Sequence, residues 1–198
     1  MNNVKSTKQA LRKRIGAILG DLSQEDIESQ SLSVRNKLLQ HPRFKSAGRV
    51  CVYLSMAKEL QTTPHLLRDI LGGGKECFIP RFDASTSRMD VVKLYSFADY
   101  EKLPTYKWNI RQPPLDEDRP DALKTGGLDL VLLPGVAFTR SGKRLGHGKG
   151  YYDSFLHSHK EATGRLPYTI GLSLEQQIVE DLPTTEHDVT LDEVLSPL

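Results

Sequence analysis

The sequence predicts an α/β fold of three layers, a mainly parallel twisted sheet with helices on both faces. Three observations predict it. Apolar runs such as "RVCVYLS" and "LDLVLLP" are continuous rather than alternating, the pattern of strands buried on both sides. These runs alternate with segments of helical period. No internal repeat, low-complexity tract or linker divides the chain, so residues 1–198 are read as one domain.

Ser6 and Gln9 match a capping box, which places the start of a first helix near Thr7, with Leu11, Ile15, Ile18 and Leu19 as its apolar stripe. Lys8 and Arg12, four apart, share one of its faces. Ser23 is placed to cap a second helix whose inner face is Ile27, Ser31, Val34 and Leu38, with Pro42 beyond its end. "RVCVYLS" is the first buried strand. Thr63 as N-cap and Pro64 at the first helical position open a short helix that Gly72, Gly73 and Gly74 end. "ECFIP" and the more alternating "MDVVKLY" are the next strands. "FADYEKLP" is a short helix ending near Pro104, and residues 108–120, rich in Pro and charge, are a loop. "LDLVLLP" is the most apolar strand. "YDSFLHSHK" reads as a helix, "YTIGLSL" as a strand, and "TEHDVTLDEVL" as a closing segment with a last short strand. In such a sheet, Rossmann-like in arrangement, ligands gather beyond the carboxyl ends of the strands.

Composition narrows the function. At 38% hydrophobic and 26% charged residues the chain is an ordinary globular one. A net charge of +2, from 27 basic and 25 acidic residues, argues against a general nucleic-acid binder, so any basic function is local. Cys51 and Cys77 lie in strand-like runs and read as small buried hydrophobes, with no CxxC for zinc or redox work. The N-terminal residues lack the apolar core of a signal peptide, and no run reaches the length of a membrane span. A reducing compartment is expected: the cytoplasm, with a mitochondrial location as the alternative.

The stretch "RLGHGKGYYD", residues 144–153, follows the end of the most apolar strand. It is neither a Walker A loop, because Gly150 stands where Ser or Thr should follow Lys149, nor a dinucleotide fingerprint, because Tyr151 stands at the sixth position from Gly146. Gly146, Gly148 and Gly150 let backbone N–H groups approach a ligand, a helix opens at Tyr151, and Arg144, His147 and Lys149 add basic side chains. A polyphosphate cradle and a plain Gly-rich turn both fit. Asp153 suits a helix first turn or, with Asp188, a metal site. Lys8 and Arg12 read equally as solvated helix charges, Glu59 as surface charge or a strand-end site residue, and Trp108 as packing or as a stacking surface for a planar ligand. His41, His65, His157, His159 and His187 form no convincing metal set.

"TGGLDLVLLPGVAFTRSGKRLGHGKGYYD" resembles the 5-formyltetrahydrofolate cyclo-ligase family, also called 5,10-methenyltetrahydrofolate synthetase. The likeness extends through "KQALRKRI", "VYLSMAKEL", "CFIPRF", "MDVVKLYS", "WNIRQP" and "HDVTLDEVL", nearly the whole chain. It implies an ATP- and Mg²⁺-dependent ligase that closes 5-formyltetrahydrofolate, with or without a polyglutamate tail, to 5,10-methenyltetrahydrofolate. The route it implies passes through a phosphorylated formyl group. It also implies a monomer that works without nucleic acid or membrane. The resemblance assigns Lys8, Gln9, Ala10, Leu11 and Arg12 of the first helix to ATP. To ATP it also assigns Arg144, Leu145, Gly146, His147, Gly148, Lys149, Gly150, Tyr151 and Tyr152 of the loop, with Lys149 and Arg144 catalytic. Folate falls to Leu54, Glu59, Met89 and Trp108, together with His147 through Tyr151. Asp153 and Asp188 match the magnesium ligands. His147 departs from the pattern: relatives often carry Arg or Tyr there, and an imidazole titrates near neutral pH where a guanidinium stays charged. A binding module without turnover and a basic-loop RNA binder are the other readings. The motif residues argue against the first and the near-zero net charge against the second.

Overall fold

The computed structural model of the chain describes residues 2–86 and 88–198, and the side chains of all of these except 2, 3 and 108. The helices are α1 (Asn2–Gly20), α2 (Gln24–Gln40), α3 (Pro42–Ser46), α4 (His65–Gly72), α5 (Phe97–Lys102) and α6 (Tyr151–Thr163). The strands are β1 (Arg49–Cys51), β2 (Glu76–Asp83), β3 (Arg88–Leu94), β4 (Leu130–Leu133), β5 (Ala137–Phe138), β6 (Arg144–Leu145), β7 (Tyr168–Leu172) and β8 (Glu193–Leu195). Six of them form one mixed, mostly parallel sheet in the order β3-β2-β1-β4-β7-β8, and β5 and β6 form a separate antiparallel ribbon. Among the described residues, only strands β2 and β3 pair antiparallel within the large sheet. With its helices this is a three-layer α/β fold.

The centre of the sheet explains itself. Leu130, Val131, Leu132 and Leu133 of β4 are fully buried between β1 and β7. Burying each such side chain contributes roughly 1.5–3 kcal/mol. Asp129, just before β4, accepts hydrogen bonds from the Gly48 and Arg49 amides and so sets β1 against β4 at their starts.

α2 follows its sequence closely. Ser23 accepts from the Asp26 amide, Asp26 answers the Ser23 amide, and Ile27, Ser31, Val34 and Leu38 are its buried face. Other elements differ from the sequence-based expectation. α1 already runs through Ser6, so that residue is helical rather than a cap: no Pro or Gly interrupts the preceding residues. On α1, Ile15 and Leu19 are buried, but Ile18 is exposed, because it sits off the line of positions 11, 15 and 19 spaced by four.

β1 ends at Cys51 although Val52, Tyr53 and Leu54 are also buried. The Val52 amide still donates to the Phe78 carbonyl, and the chain then leaves the ladder, its Tyr53 carbonyl accepting from the Thr62 hydroxyl. Pro64 occupies the N-cap of α4 rather than its first turn, and no side chain caps that helix, since the Thr63 hydroxyl shares a hydrogen bond with Ser55.

Candidate active site

Strand order reverses beside β1. From β1 the chain builds outward through β2 to β3, then returns to the other flank of β1 and continues through β4 to β7 and β8. Such a switch opens a crevice beyond the strands' carboxyl ends, where open α/β sheets take ligands. A cavity of about 260 Å³ occupies it. Tyr53, Leu54, Met56 and Glu59 reach it from the segment after β1, Pro80 and Phe82 from β2, and Pro134 from the end of β4. Arg144 and the Gly-rich loop through Asp153 form the opposing wall.

Two glycines give that loop its shape. Gly148 has φ +100° and Gly150 φ +69°, both in the region that disfavours side chains. A Cβ at Gly148 would also stand 3.4 Å from the Arg12 guanidinium carbon. Arg12 Nε donates to the Gly146 carbonyl at 2.8 Å, so α1 holds the loop from behind. Gly150 is the N-cap of α6 and provides no side-chain cap, which leaves the first-turn amides and the positive end of the helix dipole beside the cavity.

Charge is concentrated on this side. Lys8 Nζ lies 2.5 Å from Asp188 Oδ2, which also accepts from the Thr185 amide and hydroxyl. Arg144 is buried: Nη2 donates to Asp153 Oδ2 at 2.8 Å and Nη1 to the Pro134 carbonyl, while Nε has no partner among the described residues. Asp153 Oδ1 accepts from the Val189 amide, so Asp153 and the residue next to Asp188 are in contact. The Lys149 side chain is exposed at the cavity rim.

The electrostatics follow from these contacts. Burial alone would raise the Asp188 carboxyl, but Lys8 and the Thr185 hydrogen bonds outweigh it and hold it below the usual range. Burial lowers the Arg12 guanidinium, and Asp188 opposes that shift. Burial, then the neighbouring Cys51 and Glu59, push the Tyr152 phenol well above its ordinary value, so it stays neutral. Burial likewise raises both thiols, Cys77 to about 12, and neither is a nucleophile.

The structure thus brings together Lys8, Arg12, residues 144–153, Asp188, Leu54 and Glu59, which are scattered along the sequence. Gln9 and Ala10 are exposed on α1, and Leu11 packs partly against the core. Leu145 is buried in β6, leaving only its backbone toward the site. Met89 pairs opposite Phe82 in the β2–β3 hairpin but does not line the cavity. Trp108 belongs to the turn Lys107–Asn109, and its side chain lies outside those described. His147 turns to Glu59, with Nε2 3.2 Å from Oε1. Tyr53, Phe82, Ile110 and Pro134 complete the apolar wall without having been singled out in the sequence; the proline of "LLP", at a strand end, was the one available signal.

The 5-formyltetrahydrofolate cyclo-ligase family model matches residues 4–197. The chain belongs to this family. The mouse 5-formyltetrahydrofolate cyclo-ligase is 41% identical over 97% of the chain and 94% of the mouse protein. A Caenorhabditis elegans protein described as a probable 5-formyltetrahydrofolate cyclo-ligase is 39% identical over 98% of the chain and 95% of its own length. Among solved structures, the 5,10-methenyltetrahydrofolate synthetase of Aquifex aeolicus superposes with a TM-score of 0.78 at 28% identity, covering 96% of this chain and 89% of that one. Among the described residues of this family member, no helix is long and apolar enough to cross a membrane.

Proposed function

We propose that the chain converts 5-formyltetrahydrofolate and ATP to 5,10-methenyltetrahydrofolate, ADP and phosphate. One observation carries this reading: a single cavity joins an apolar wall bearing one buried carboxylate, Glu59, to a wall of glycine amides and cations. The first suits a flat heterocycle with N–H donors, the second a polyphosphate. Arg144 supports it further, because it borders the same cavity and brings a positive charge to the phosphate wall.

The chemistry asks for positioning and charge. The formyl oxygen attacks the γ-phosphorus and the bond to ADP breaks, giving a phosphorylated formyl group. N10 then attacks the formyl carbon, closing a five-membered ring. N10 loses its proton, the C–O bond breaks and phosphate departs with the electron pair. Such transfers need little covalent help from the protein. Lys149 and Arg144, with the loop amides, would hold the phosphate chain, and Arg12 holds the loop.

The donor set fits Mg²⁺. Nucleotide-bound magnesium takes one or two protein carboxylates, with phosphates and water completing its shell. Asp153 and Asp188 belong to adjoining segments and use only part of their lone-pair capacity on protein donors. They would hold the ion, which when bound neutralises charge on the phosphates.

Mixing the protein, MgATP and 5-formyltetrahydrofolate is expected to produce the methenyl compound's absorbance and an equal amount of ADP. Absence of both would sink the enzyme reading.

A further inference from the structure

We propose that His147, on the phosphate loop, is a positioning residue for the folate end of the site and acts through Glu59. This rests on the function proposed above and goes beyond it: the resemblance assigns His147 to both ATP and folate, whereas the geometry gives it a role at the folate end, exerted through Glu59. Both flanks of His147 face Arg12: the Gly146 carbonyl accepts from Arg12 Nε, and Gly148 packs against its guanidinium. The imidazole between them goes to the other wall of the cavity, with Nε2 3.2 Å from Glu59 Oε1. A carboxylate only accepts, so the Nε2 proton is the donor.

Glu59 needs such a partner. Its side chain is 9% exposed, whereas that of His147 is 56% exposed. The other carboxylate oxygen, Oε2, accepts from the Met56 amide at 3.0 Å. Together the amide and the imidazole fix the plane of the carboxylate. Two of its roughly four lone-pair directions remain for a ligand. A carboxylate so oriented presents two acceptors to a pair of adjacent N–H donors, the pattern on the amino-pyrimidinone edge of a reduced pterin. His147 thereby serves the folate end, and it ties the segment after β1 to a loop 88 residues away.

The test compares two substrates in one variant. His147→Ala should raise the Kd for 5-formyltetrahydrofolate, measured by calorimetry without nucleotide, by about 5- to 30-fold, the range of a hydrogen bond to a charged group at a partly exposed site. The KM for MgATP should move less than about twofold. His147→Gln, which keeps an N–H donor, should recover most of the folate affinity. A merely structural disturbance of the loop would move both constants together. The proposal is overturned if His147→Ala leaves the folate Kd unchanged, if the MgATP KM rises as much as the folate Kd, or if Gln does no better than Ala. A wild-type protein that binds no 5-formyltetrahydrofolate would instead overturn the proposed function itself, and this inference with it.

Discussion

Arg119 and Arg144 are equally buried and do opposite things. The Arg119 side chain, 4% exposed, is fully engaged: Nη1 and Nη2 grip Asp99, Nε donates to Glu117, and Nη1 also meets the Lys93 carbonyl. The Arg144 side chain, 5% exposed, has one carboxylate contact, a long bond to the Pro134 carbonyl and an Nε without a partner among the described residues. The first arrangement is closed and holds β3 to α5 and the following loop. The second is incomplete and borders the cavity. Arg81 Nε is also unpaired, yet Arg81 lines no part of the cavity and its Nη1 is held by two carbonyls. A missing partner by itself therefore marks no site; what sets Arg144 apart is that it borders the cavity.

The comparison breaks most readily at Arg144. Arg144→Met should lower kcat/KM by about 10²–10³-fold, the loss of one preorganised electrostatic donor. Its urea unfolding free energy should change less than that of the Arg119 variant. Lys149→Ala should cost about 10²-fold in kcat/KM by the same argument and leave unfolding unchanged, because its side chain is exposed; a near-wild-type rate would mean that the loop amides hold phosphate alone. Arg119→Met should do the reverse. Stability should fall by about 2–3 kcal/mol in urea melts, less than the ~3–5 of a wholly buried pair because Asp99 keeps some exposure, and kcat/KM of the folded fraction should stay within about threefold. If Arg119→Met loses turnover and Arg144→Met loses only stability, the contrast is wrong.

The smallest effect concerns a second pair, His147 and His159. His147 is on an exposed loop, whereas His159 is wholly buried: its Nε2 accepts from the Leu128 amide, so the proton sits on Nδ1, which donates to the Arg165 carbonyl. Burial lowers the His159 imidazole from its ordinary 6.5. The unfolded chain therefore takes up the proton more readily than the folded one. The contribution to stability is present above pH 6.5 and is lost as pH falls from there toward the folded value. His159→Gln should flatten this acid limb of the unfolding free energy.

What was legible in the sequence was local. An unbroken apolar run marked β4, and Ser23 marked the start of α2, because both signals lie within a few residues. The alternating glycines and the helix opening at Tyr151 marked the loop, and the spacing there is itself the structure. The ribbon of β5 and β6 was not legible, since two residues per strand carry no period. At the end of β1 the Tyr53 carbonyl is taken by the Thr62 hydroxyl instead of a neighbouring strand, which no hydropathy pattern records. The apolar wall draws Phe82, Ile110 and Pro134 from three separate segments, and the Glu59–His147 contact spans 88 residues. Topology, not composition, assembles these.

The proposed function stands on phosphoryl transfer to the formyl oxygen of folate in this cavity. A single turnover with MgATP and 5-formyltetrahydrofolate carrying ¹⁸O in the formyl group tests it most directly. The label is expected in the released inorganic phosphate. Methenyl product formed with unlabelled phosphate would contradict it.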